Sequence, residues 1–241
     1  MSINLEGVEQ SEYNNAGALY GINENSEEFL GALKQMNPVK RARVINKLAQ
    51  PTVPSKGSRA EMEKHFVELP AHVKDQLTKG DLRLADTIIY SVKPLSQKTT
   101  KIFEPQDTRQ VSLRSLSEAR LTKNSVLLVS GIIMLAGVAA SETTDDAMRT
   151  SFAKIEAIPA LANGEFYLKA NKKVIVPEGT SNRVFCTENN HLGQLGYYKL
   201  SNPRLIHDDV TIEFIVELGT TTGIAANTQI YVGLVGTITT P

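Results

Sequence analysis

The stretch Val210-Thr-Ile-Glu-Phe-Ile-Val-Glu-Leu218 constrains the fold of this chain more than any other. Val210, Ile212, Phe214, Val216 and Leu218 alternate with Thr211, Glu213 and Glu217, and only Ile215 breaks the order. A period of two belongs to a strand with one buried face. Gly219-Thr-Thr-Thr-Gly223 then supplies turn residues. Gln229 to Ile238 reads as a second strand, with Ile230, Val232, Leu234 and Ile238 in step. Together, within Tyr197 to Thr239, they predict that the C-terminal end is built into a sheet.

The sequence upstream of this pair, back to about residue 84, also reads as strands. Asp86 to Val92 is β-branched and aromatic, and Thr99 to Phe103 follows after Pro94. The apolar run Val126 to Ala140 reads as a buried strand pair, with Ser130-Gly131 as a bulge or bend. Asp145 is placed to cap a short helix over Ala147 to Ile155. Glu165 to Ala170 and Lys173 to Val176 form a hairpin turned at Asn171-Lys172 and closed by Pro177-Glu-Gly179. Arg183 to Thr187 reads as another short strand, before a polar loop holding His191. The count, eight to ten strands at short spacing, is that of an all-β sandwich.

The N-terminal third is different. Residues 1–24 are polar and lack the apolar surface to order themselves, so they read as a flexible arm. Residues 25–80 are helical in pattern. Ser26 caps a helix to Met36 with Phe29, Leu30, Leu33 and Met36 as its apolar stripe. A second helix spans Val39 to Ala49. Ser58-Arg-Ala-Glu61 resembles a capping box for a third, running to about Leu69. A fourth spans Ala71 to Lys79, with Gly80 as its C-cap. The expected architecture is mainly β: an antiparallel sandwich over residues 84–241, behind a small helical region whose boundary falls near Gly80.

Lys plus Arg and Asp plus Glu each total 26, so the formal net charge is zero. That argues against a chain that coats nucleic acid, and it weakens self-repulsion in an assembly. The one cysteine, Cys186, allows no internal disulfide and reads as a small buried hydrophobe. With His65, His72, His191 and His207 scattered, a metal cluster is not expected. The apolar run at 126–140 is shorter than the roughly 18 to 20 residues of a bilayer span. Met1-Ser-Ile-Asn-Leu-Glu6 carries no signal-peptide pattern, so a reducing compartment is expected.

Catalytic signatures are absent: there is no nucleophile elbow, phosphate loop or dinucleotide fingerprint. His207, beside Asp208 and Asp209, is the best acid–base candidate, but those acids read more simply as a turn. The two acids also lack the spaced ligands of a Ca²⁺ loop. No enzymatic activity and no cofactor are expected. Two groups remain as contact candidates. Lys40, Arg41, Arg43 and Lys47 lie largely on one side of the second helix, as a solvated face or as a contact for nucleic acid or a neighbouring subunit. Tyr197 and Tyr198, with Tyr167, are the aromatic residues available as a ligand platform in a chain without tryptophan.

One resemblance goes further. Thr100-Lys-Ile-Phe103, Leu121-Thr-Lys-Asn-Ser125 before a long apolar strand, Leu161-Ala-Asn-Gly-Glu-Phe166, Leu200-Ser-Asn-Pro-Arg-Leu-Ile206 and two terminal strands resemble jelly-roll capsid or capsid-associated proteins of icosahedral tailless bacteriophages. The likeness covers residues 84–241 and rests on strand order and turn positions; the helical residues 25–80 are not part of it. It implies a single jelly roll, a virion protein assembled in the host cytoplasm, and an N-terminal extension that reaches neighbouring subunits or the particle interior. Its implied partners are copies of itself and other virion proteins, with nucleic acid or an internal lipid layer as further contacts. It carries no catalytic residue. The competing reading is a β-sandwich binding module for a glycan or protein, with a helical adaptor.

Overall fold

A computed structural model describes Met62, residues 64–186 and residues 195–241, all within a compact unit spanning Lys56–Pro241. The arm, the first two expected helices with Lys40, Arg41, Arg43 and Lys47, the start of the third, and His191 lie outside the described residues.

Among the described residues, nine strands form two antiparallel sheets: β1 (Arg83–Pro94), β2 (Thr99–Lys101), β3 (Leu127–Val138), β4 (Ala153–Lys154), β5 (Glu165–Ala170), β6 (Lys173–Ser181), β7 (Tyr197–Ile206), β8 (Ile212–Glu217) and β9 (Thr228–Thr240). The first sheet runs β1-β9-β3, with β7 and the two-residue β4 both on the far edge of β3. The second runs β2-β8-β5-β6. The two C-terminal strands that dominate the sequence therefore do not pair with each other. Each is an interior strand of its own sheet.

Their inward residues build the core. Ile212, Phe214 and Val216 face Ile230, Val232 and Leu234, with Leu127, Ile132 and Met134 from β3 and Phe166 and Leu168 from β5. An aromatic row joins the sheets. Phe214 stacks on Phe166 at 5.6 Å, Phe166 meets Phe185 at 5.0 Å, and Phe185 meets Tyr198 edge-on at 5.9 Å. Ile215, which breaks the alternation, is buried from the opposite side, between its cross-strand neighbours Lys101 and Tyr167.

Several expectations change. The apolar run at 126–140 is one 12-residue strand, not a pair, because Ser130 is absorbed as a bulge between Val129 and Gly131. Its residues are apolar on both faces because both are covered. Thr143, not Asp145, caps the short helix α2, which spans Thr144–Met148. Asp145 and Asp146 instead occupy its first turn, where acids suit the helix dipole. The expected strand from Arg183 does not form over the described residues: Asn182–Phe185 make a 3-10 turn that carries Phe185 into the core, and Thr187 lies outside the described residues. The Pro177-Glu-Gly179 stretch does not end its strand, since β6 continues to Ser181 as a sheet edge, where proline is tolerated.

Other details match the sequence reading. Asn171 and Lys172 both have positive φ, 46° and 65°, the geometry of a two-residue hairpin turn. Helix α1 spans Ala71–Lys79 and ends at Gly80 in the left-handed conformation, φ 84°. This helical segment lies on the sheet rather than apart from it. Met62, Leu69, Val73 and Leu82 pack with Val126 and Leu128, which point outward from the first sheet. Each fully buried side chain of this kind stabilises by roughly 1.5–3 kcal/mol.

The two outer faces differ in chemistry. The second sheet presents Glu213, Glu217, Lys169 and Tyr167, with Lys169 paired to Glu178 and lying 4.6 Å from the Tyr167 ring centroid. The first sheet is covered at one end by the α1 cap and at the other by Phe152, which contacts Tyr231, itself stacked on Tyr90 at 5.6 Å. Its exposed edge is also closed. Residues 113–115 run along β1, with Val92 N–H donating to Leu113 O at 2.7 Å and Ser115 N–H to Tyr90 O at 3.0 Å. Covering an edge in this way blocks unwanted strand addition.

Candidate functional site

Successive residues on a strand point to opposite faces, and this decides the tyrosine platform. Tyr198 turns inward against Phe185 and the main core. Tyr197 lies on the outer face over Gly131, so close that a Cβ there would come within 2.2 Å of its ring. Burial pushes the Tyr197 phenol up, opposed by its hydrogen bond with Ser130. Tyr167 stands on the outer face of the other sheet, where burial and then Glu213 raise its phenol. The three rings are on three different surfaces and form no common platform. All three are engaged in packing.

His207 is half-buried, and its imidazole pKa is lowered by that burial and by Lys173. Asp208 is tied down on two sides. Its Oδ2 accepts from Asn124 N–H and lies 2.9 Å from His72 Nε2. Burial alone would raise this carboxyl, but the Asn124 N–H and the His72 ring hold it below its ordinary value. Asp209 adopts φ 55°, and its N–H donates to Leu121 O. The His-Asp-Asp stretch thus turns the chain between β7 and β8 and fastens α1 to that turn. Cys186 packs at the margin of the core, and burial raises its thiol pKa. Among the described residues, no group of three or more His, Cys, Asp and Glu side chains is placed to hold a metal ion. Also among them, no helix is long and apolar enough to cross a membrane.

The polar cluster that sequence reasoning missed lies at the open side of the sandwich, between the edge strands β1 and β2. Lys93, on β1, donates to Glu104 and, at 2.8 Å, to Asp107. Arg114 donates to the same Asp107 oxygen at 2.7 Å and to Gln110 at 3.2 Å. Asp107 also accepts from Glu104 N–H. Lys93 and Asp107 are 8% and 6% exposed, so this pair is buried, while the Glu104 and Arg114 side chains, about a quarter exposed, form its rim. A buried charge is tolerated only when paired and hydrogen-bonded, and here two cations meet two carboxylates. The cluster pins the long β2–β3 connection against β1. It borders a broad cleft that also takes in the ends of β2 and β9 and the start of α2. The only local clue in the sequence is a run of polar residues, Glu104 to Gln110, whose partner Lys93 lies beyond the intervening β2.

No family model matches the chain, and no curated protein matches it in sequence.

Proposed function

We propose that this chain is a structural virion protein whose sandwich is a single jelly roll, and that copies assemble into an icosahedral shell or a vertex or lattice component. The supporting observation is the nesting of strand pairs. With the two-residue β4 set aside, the first strand pairs with the last (β1–β9), the second with the second-last (β2–β8), the third with the third-last (β3–β7), and the middle two with each other (β5–β6). A long antiparallel ribbon of four such pairs, wound on itself, produces this set. The winding brings β9 beside β3 and β8 beside β5. This nesting is what supports reading the sandwich as a double-sheet jelly roll.

Shell proteins and lectins both use jelly rolls, so fold alone does not choose between them. The shell reading draws on the sequence resemblance and on two physical features. The formal charge of zero leaves little repulsion between copies. The three tyrosines that a lectin could have used are dispersed and engaged in packing. In this proposal the N-terminal residues grip neighbouring copies, and repetition of a weak contact over a closed symmetric array supplies the strength.

The test is a truncation cut at the right place. Deletion through Gly80 would strip Met62, Leu69 and Val73 from Val126 and Leu128 and expose that patch. Deletion through Ser55 preserves the compact unit. The shortened chain, Lys56–Pro241, is expected to retain its β circular-dichroism signature and cooperative melting and to lose assembly. If it assembles as the full chain does, the N-terminal residues are not the grip.

A further inference from the structure

The outer face of the first sheet is covered at its two ends and not between them. At one end the α1 cap packs on Leu128, whose ladder partner on β9 is Thr237. At the other, Phe152 packs on Tyr231. Thr237 and Tyr231 are six positions apart on β9 (237 − 231), about 20 Å of strand. Two registered rows of outward residues cross the sheet in that interval. Ile88 on β1, Val235 on β9 and Lys199 on β7 belong to one, and Ile133 and Tyr197 to the next. Ile88 is 38% exposed, and Val235 and Tyr197 are half-buried. The strip is therefore a trough between two covered flanks, apolar from Ile88 to the Tyr197 ring, with the exposed Lys199 at its β7 edge.

Length, charge and chain path select an occupant. A helix with its side chains is about 10–12 Å across, which fits between flanks about 20 Å apart. The sequence segment Ser26 to Met36, outside the described residues, carries the apolar stripe Phe29, Leu30, Leu33 and Met36 and needs an apolar partner for it. As a helix its 11 residues (36 − 26 + 1) would run about 16 Å. The four strands β1-β9-β3-β7 span three gaps, about 14 Å, so the lengths agree. Glu27 and Glu28 open the segment, and Lys199 stands at one edge of the trough, which sets the direction: N-terminal end over β7. Beyond Met36 the chain continues for 25 residues (61 − 36) to Met62, which is itself seated on this face with Val126 and Leu128. Fully extended, 25 residues reach about 80 Å, enough to carry the segment from beside one trough to that of a neighbour.

We propose that the trough on each copy receives Ser26–Met36 of a neighbouring copy, with Phe29, Leu30 and Leu33 against Ile88, Val235 and Tyr197 and the two glutamates beside Lys199. The docking rests on the assembly reading above and names the surface on which the N-terminal residues hold. Exchanged between two copies about a two-fold axis, each contact is made twice.

The experiment uses the full-length chain in two ways. Sedimentation compares the wild type with Ile88→Asp and with Leu33→Asp, one on each side of the contact. Each variant is expected to raise the concentration needed for association about 10-fold or more, because a charge replaces a buried apolar contact. Ile88 is already partly in water, so its variant should keep the wild-type circular-dichroism spectrum. If it does not, Leu33→Asp and the crosslink decide. For the crosslink, two chains that both carry Cys186→Ala are mixed before association, one with Leu33→Cys and the other with Ile88→Cys. A short bismaleimide should then yield a peptide pair joining positions 33 and 88, which can arise only between copies. Association unchanged in a folded aspartate variant, or an assembled sample that yields no such pair, would overturn the docking and leave the assembly reading standing. A wild-type chain that stays monomeric would overturn the assembly reading itself, and the docking with it.

Discussion

Replacing Asp107 with alanine is expected to destabilise the domain by about 3–5 kcal/mol, the cost of breaking a buried ion pair from one side. The carboxylate is 6% exposed and accepts from Lys93, Arg114 and the Glu104 N–H. Without it, Lys93 keeps Glu104 alone, and Arg114 loses the partner of one terminal nitrogen. Lys93 would be left buried with one carboxylate in place of two, and Arg114 only partly exposed to water. Measured against a typical domain stability of about 5–15 kcal/mol, this is a large fraction. Urea unfolding of the two proteins would measure it. A companion variant separates the causes: Lys93→Met with Asp107→Leu removes both charges, and it should recover much of the loss. A loss below about 1 kcal/mol for Asp107→Ala, the range of exposed pairs, would mean that water reaches the cluster freely.

Truncation of Phe214 should have an effect of similar size for a different reason. Its ring is fully buried, stacks on Phe166, and begins the aromatic row that ends at Tyr198 on the other sheet. Phe214→Ala is expected to cost about 3–5 kcal/mol, because the transfer energy is lost and a cavity remains that two packed sheets cannot close. Phe214→Leu should cost distinctly less, since it refills part of the space. Thermal unfolding of both variants would rank them. Equal losses would show that ring geometry, not filled volume, holds the two sheets together.

How much of this was legible in the sequence depended on whether the deciding contact was local. The alternation at Val210–Leu218 and the Asn171-Lys172 turn are local, and each was readable from its own residues. Gly80, with φ 84° closing α1, was readable for the same reason. The run at 126–140 misled because Ser130-Gly131 looks like a place to reverse direction. Gly131 is needed instead where the Tyr197 ring lies against β3, a contact 66 residues away in sequence (197 − 131). Nor could the sequence reveal what covers the outward face of Leu128: that is Met62 and Val73, from a segment whose pattern reads as a separate helical region. Arg183 to Thr187 has strand-like composition, yet Phe185 is recruited inward by Phe166. The candidate platform failed on parity alone, since Tyr197 and Tyr198 are adjacent and a strand sends them to opposite faces. The Lys93–Asp107–Arg114 cluster lay beyond local reading, because its members meet only after the β2–β3 connection folds back along β1.

The central claim is that this chain builds a structure from copies of itself. Native mass measures that most directly, by sedimentation of the purified full-length chain over a range of concentrations, with negative-stain images of the same sample. The account predicts discrete closed species, such as rings, trimers, pentamers or shells, at the expense of the 26.4 kDa monomer. A clean monomer persisting at the highest concentration, with featureless images, would contradict it.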